Sequence, residues 1–162
     1  MNRTIWPAAA LALAALGPAA CSGGESEQAT ETAGPEAPAG ISVSDGRMML
    51  PPVSGNPAAI YFDIANDGDK DVMIRAVSVQ GAGGAMLHET STWNNQTDMQ
   101  EVFQLSVPAG ESVSFEPGGL HVMANDLDPS LVAGGETEVT LTFVGGDKVS
   151  FPAEIREPGD ER

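Results

Sequence analysis

Apolar and polar residues alternate along most of this chain, and no window replaces that alternation with a sustained 3.6-residue period. Ile60, Phe62 and Ile64 share one side of "AIYFDIAN", as do Val113 and Phe115 in "ESVSFEP" and Val139, Leu141 and Phe143 in "TEVTLTFV". In "DVMIRAVSV" Val72, Ile74 and Ala76 alternate until Val77 and Val79 change side, which predicts a β-bulge. "ISVSDGRMML", "LHVMAND", "DKVSFPAEI" and a hairpin within "MLHETSTWNNQTDMQEVF" complete the set. Turn signals separate these segments: Asn66 to Asp69, Gly81 to Gly84, "PAGE", "PGG" and Gly145-Gly146-Asp147. Eight or nine short strands at such intervals predict an all-β fold, an antiparallel Greek-key β-sandwich, with helix a minor component. We place it in a single domain, residues 41–157, about 117 residues long and close to the commonest domain size.

The chain ahead of that domain has a different composition. In residues 1–20, Arg3 is the one positive charge and Ile5 to Leu16 forms an apolar run too short for the roughly 20 residues of a membrane span, so the segment reads as a signal peptide. The only cysteine, Cys21, follows directly, and "AACSGG" resembles the lipobox of bacterial lipoproteins, with Pro18 where an aliphatic residue is usual. That resemblance implies lipidation at Cys21 and a membrane-anchored periplasmic protein; periplasmic release without the lipid is the other reading. Residues 21–40 are poor in large apolar side chains and form a disordered tether, and residues 158–162 a flexible tail.

Charge narrows the partners. Lys plus Arg is 7 and Asp plus Glu is 23, and loss of Arg3 with the signal leaves 6 − 23, or −17. Such a surface does not track phosphate backbones, so no nucleic acid is expected, and anionic lipid head groups repel it. A membrane association therefore falls to the lipid at Cys21.

The candidate chemistry lies between His88 and Met123. Both histidines of the chain are there, each accompanied by methionine: His88, ten residues, Met99, twenty-one residues, His121, one residue, Met123. Imidazole suits copper, zinc, iron and nickel, whereas neutral thioether sulfur favours Cu(I), so the set argues copper. On a strand His121 and Met123 project from the same face about 7 Å apart. A hairpin centred between Trp93 and Asn94 sets His88 directly opposite Met99; a centre two residues later offsets them diagonally, within reach of a long Met side chain. Met48, Met49, Met73 and Met86 are expected to pack in the core or at its edge; for Met86, two residues before His88 and on its face, the alternative is assistance in metal capture. Pro117, Gly118 and Gly119 form a turn that aims His121, and Trp93 shields the site, faces a partner or packs the hairpin. With Cys21 assigned to the anchor, no nucleophile set remains and no blue-copper His2Cys core can form, so we expect a binding protein and not an enzyme. The plain alternative is a structural or assembly lipoprotein whose immunoglobulin-like sandwich binds protein while its His and Met pack.

The four residues at this spacing resemble the signature of the periplasmic copper chaperones called PCuAC, and "HET", "VPAGESVSFEPGGLHVM", "LTFVGGDKVSF" and "AIYFDIANDGD" are similar to that family's flanking segments over about residues 41–155. The resemblance implies a cupredoxin-like sandwich and a solvent-near Cu(I) site made by His88, Met99, His121 and Met123. It further implies a monomer that supplies copper to the CuA centre of cytochrome c oxidase, often with a Sco-type partner, or that handles periplasmic copper generally. The loop "TSTWNNQTD" departs from the family in lacking Met- and Gly-rich character.

Overall fold

The structure is a computed structural model, and it describes residues 37–160 apart from Asn95. The expected signal peptide, Cys21, most of the tether and the last two residues lie outside the described residues.

Ten strands and no helix are present among the described residues: β1 (Ile41–Met49), β2 (Ala58–Asn66), β3 (Val72–Val79), β4 (Ala82–Trp93), β5 (Gln96–Glu101), β6 (Leu105–Val107), β7 (Glu111–Phe115), β8 (Leu120–Leu127), β9 (Glu136–Phe143) and β10 (Lys148–Arg156). They are hydrogen-bonded in the order β5-β4-β8-β2-β1-β10-β9-β3-β6, with β7 also on β2. Every pairing is antiparallel except β1 with β10, where Arg47, Met48 and Met49 lie beside Glu154, Ile155 and Arg156 in parallel register. The all-β architecture is as expected, and the sheet is mixed through that one pair.

The alternation read from the sequence becomes the core. Ile60, Phe62 and Ile64 of β2, Ile74 of β3, Val139 and Leu141 of β9 and Val122 of β8 have no solvent exposure. Phe62 stacks on Phe115 with centroids 4.0 Å apart and tilts against Phe151 at 4.9 Å, the favourable offset and tilted arrangements for aromatic pairs. The bulge in β3 is present: its register on β9 shifts between Ile74 and Ala76, so Val77 and Val79 face inward, while Ala76 already points out.

Two irregularities decide what the outer face carries. In β1 the register on β2 shifts between Ser44 and Arg47, Asp45 adopts φ 56°, and a Cβ on Gly46 would meet the Pro152 carbonyl oxygen at 2.4 Å. This bulge reverses the parity of the strand: Ile41 and Val43 are buried before it and Met48 after it, which turns Arg47 and Met49 outward. On β2, β7 and β8 follow one another along the same edge, Phe62 to Asn66 pairing with β7 and Ala58 to Ile60 with β8. Residues 116–119 leave the edge between them as a turn, closed by Glu116 N–H donating to the Leu120 carbonyl (2.9 Å) and permitted by Gly118 at φ 83°.

Candidate metal centre

Strands β4 and β8 build the site. Leu87 of β4 and Val122 of β8 point into the core, 3% and 0% exposed, so their neighbours project from the opposite face. The antiparallel register sets His88 directly across from His121 and Met86 directly across from Met123. The two imidazoles lie nearly parallel, with an interplanar angle of 23° and centroids 5.9 Å apart.

Met99 arrives from the edge strand β5. Trp93 pairs with Gln96 and Asn94 adopts φ 54°, which centres the hairpin one position later than Trp93-Asn94. Met99 therefore faces Thr90 and lies diagonal to His88, from a centre that falls between the two anticipated, while Glu101 takes the place opposite His88. The Met99 side chain reaches across β4, bringing its sulfur to 3.2 Å from His121 Nε2. His88, Met99, His121 and Met123 thus share one face over three adjacent strands.

The surroundings orient His121. It is 6% exposed, and its Nδ1–H donates to the Gly119 carbonyl at 3.0 Å, an oxygen that also accepts the Thr90 N–H at 3.0 Å. A carbonyl only accepts, so a neutral His121 ring carries its proton on Nδ1 and turns the Nε2 lone pair toward the Met99 sulfur. Residues 116–119 do aim His121, through the carbonyl of Gly119. His88 is partly buried, and its Nδ1 is a buried polar atom that makes no hydrogen bond. By contrast Met99 is 51% and Met86 41% exposed.

Three residues of this face were not singled out from the sequence. The Tyr61 ring lies 6.4 Å from that of His121, and the Arg47 guanidinium stands 5.3 Å over Tyr61, a cation–π arrangement behind the imidazole. Glu101 is the third. Tyr61 could have been found, because it falls between Ile60 and Phe62 and must face outward; Arg47 could not, because only the β1 bulge turns it to this side. Met48 is fully buried, as expected for core packing, whereas Trp93 is 82% exposed and sits on the Leu87 side of β4, away from the histidines. No group of three or more His, Cys, Asp and Glu side chains suited to a metal occurs among the described residues, so a metal here depends on the methionines.

The chain is an all-β domain with imidazoles and thioethers gathered on one sheet face, and its fold is that of PCuAC domains. The chain belongs to the LpqE-like family, "Putative lipoprotein LpqE-like", whose family model matches residues 41–155. It is 32% identical over 105 residues to "Putative lipoprotein Lxx21020" of Leifsonia xyli subsp. xyli, covering 64% of this chain and 63% of that relative, so it spans less than two thirds of the relative's length. Among solved structures, the apo PCuAC domain from PmoF1 is 26% identical with a TM-score of 0.62, covering 74% of this chain and 95% of that one. The copper-bound PCuAC domain from PmoF2 is 20% identical with a TM-score of 0.61, covering 74% and 94%, and shares the fold.

Proposed function

We propose that this protein is an extracytoplasmic copper chaperone that carries Cu(I) on His88, Met99, His121 and Met123. The observation that carries the reading is the 3.2 Å approach of the His121 Nε2 lone pair to the Met99 sulfur. With a neutral ring whose Nδ1–H is on Gly119, two lone pairs face each other there and gain nothing by it unless an ion lies between them. With metal–nitrogen and metal–sulfur distances of about 2.0 and 2.3 Å, two donors sharing one ion at right-angled to tetrahedral geometry are about 3.0 to 3.5 Å apart. The orphaned His88 Nδ1 fits the same picture, since a buried polar atom without a partner costs stability until something occupies it. The likeness to solved PCuAC domains supports the copper reading, and the lipoprotein relative supports the extracytoplasmic one.

The donor types suit a carrier. Imidazole and thioether are neutral, so metal loading neither buries nor releases a ligand charge, and they resist oxidation better than thiols. Exposed Met99 can be exchanged first while the shielded His121 still holds the ion. We place the protein in the periplasm, held to the membrane by lipid on Cys21, delivering copper to the CuA centre of cytochrome c oxidase directly or with a Sco-type partner. The test is nitrogen-15 NMR of the two imidazoles during addition of Cu(I). Both His88 and His121 should shift and saturate near one equivalent; imidazole signals that ignore Cu(I) would support the purely structural reading of this lipoprotein family member. Mass spectrometry of membrane-extracted protein should find acylated Cys21, and an unmodified N-terminus beyond Cys21 refutes the anchor.

A further inference from the structure

We propose that Met86 is a fifth, solvent-side donor of this centre, holding copper while Met99 is exchanged; the inference rests on the copper reading above. Its basis is register. Met86 is directly opposite Met123, next to the directly opposed pair His88 and His121, so the four side chains form two adjacent rungs on one face. Directly opposed Cβ atoms are about 4.5 to 5.5 Å apart, and residues two apart on a strand about 7 Å. Both spans are within reach of an unbranched thioether side chain.

Exposure divides the cluster further. His121 is shielded and Met123 partly so, whereas Met86 and Met99 are 41% and 51% exposed and flank the histidines from different sides. Met86 is not needed by the core, because Leu87 fills the inward position of β4 at this point. It borders an open cleft of about 150 Å³ shared with Arg75, Glu101 and Phe103, which gives its three rotatable bonds room to move without unpacking a neighbour. A closed-shell monovalent ion imposes no rigid geometry, so one thioether can arrive as another departs. When a partner's ligand displaces Met99 at the edge hairpin, Met86 and Met123 with the histidines keep the ion from being lost to solvent.

The experiment uses protein labelled with carbon-13 at the methionine methyls and titrated with Cu(I) under reductant, beside competition titrations of three variants. The Met86 methyl should shift together with those of Met99 and Met123. Affinity should fall about threefold in Met86→Leu and in Met99→Leu, and about a hundredfold in the double variant, because each thioether substitutes for the other. Movement of the Met99 and Met123 methyls with a static Met86 methyl, and a double variant no weaker than Met99→Leu, overturns the role of Met86 alone. Methionine methyls that all ignore Cu(I) overturn the copper reading itself, and this inference with it.

Discussion

Replacing His88 with Leu should stabilise the metal-free protein while removing its response to copper. The Nδ1 of His88 is buried without a hydrogen bond, and such an atom costs about 1 to 3 kcal/mol; because the residue is only partly buried, the lower end applies. Removing it should return about 1 kcal/mol. For a domain of roughly 120 residues, unfolding entropy near 2.1 cal/mol/K per residue converts that to an increase in Tm of about 4 °C. Copper should reverse the order. A ligand at a hundred times its Kd stabilises the native state by about 2.7 kcal/mol, close to 11 °C on the same scale, and this increment should be present in the wild type and largely missing from the variant. Differential scanning fluorimetry with and without Cu(I) under reductant measures both. A metal-free variant that melts several degrees lower would contradict an uncompensated His88 Nδ1, and a copper increment equal to that of the wild type would contradict His88 as a donor.

Protons compete with metal for imidazole nitrogen, so Cu(I) affinity should fall as the solution is made more acidic; a flat profile contradicts two histidine donors. Phe62→Ala removes a ring with no exposure, stacked on Phe115 at 4.0 Å, and should cost about 3 to 5 kcal/mol, seen as a lower urea midpoint; a loss below 1 kcal/mol would mean the core can collapse around it. Gly46→Ala forces a Cβ to 2.4 Å from the Pro152 oxygen and should cost about 1 to 3 kcal/mol in the same assay, with the Tyr61 ring signals shifting as β1 re-seats; unchanged stability would show that the bulge yields freely.

The inward faces of β2, β7 and β9 were legible because a half-buried strand must alternate, and Phe62, Phe115 and Phe143 are buried where alternation put them. Pairing is another matter. The parallel contact of β1 with β10 joins strands at opposite ends of the domain, and nothing local in "GRMM" or "AEIR" specifies a partner or a direction. The parity reversal in β1 depends on Asp45 entering the left-handed region and on Gly46 lying close to β10, a tertiary fit that residue types alone do not announce. In the candidate site the composition of the cluster was readable, because His and Met are scarce and the signature spacing is specific. Its arrangement was not. The diagonal placement of Met99 turned on a shift of one residue in the hairpin centre, and the opposition of His88 to His121 and of Met86 to Met123 is a register between residues more than thirty positions apart.

The most direct measurement is a competition titration of Cu(I) against a chromophoric chelator for the wild type and for His88→Ala, Met99→Ala, His121→Ala and Met123→Ala. Close to one Cu(I) per chain is expected, with affinity at least about tenfold weaker in His88→Ala, His121→Ala and Met123→Ala and reduced in Met99→Ala. Affinity unchanged across all four variants would contradict a copper centre on this face of the sheet.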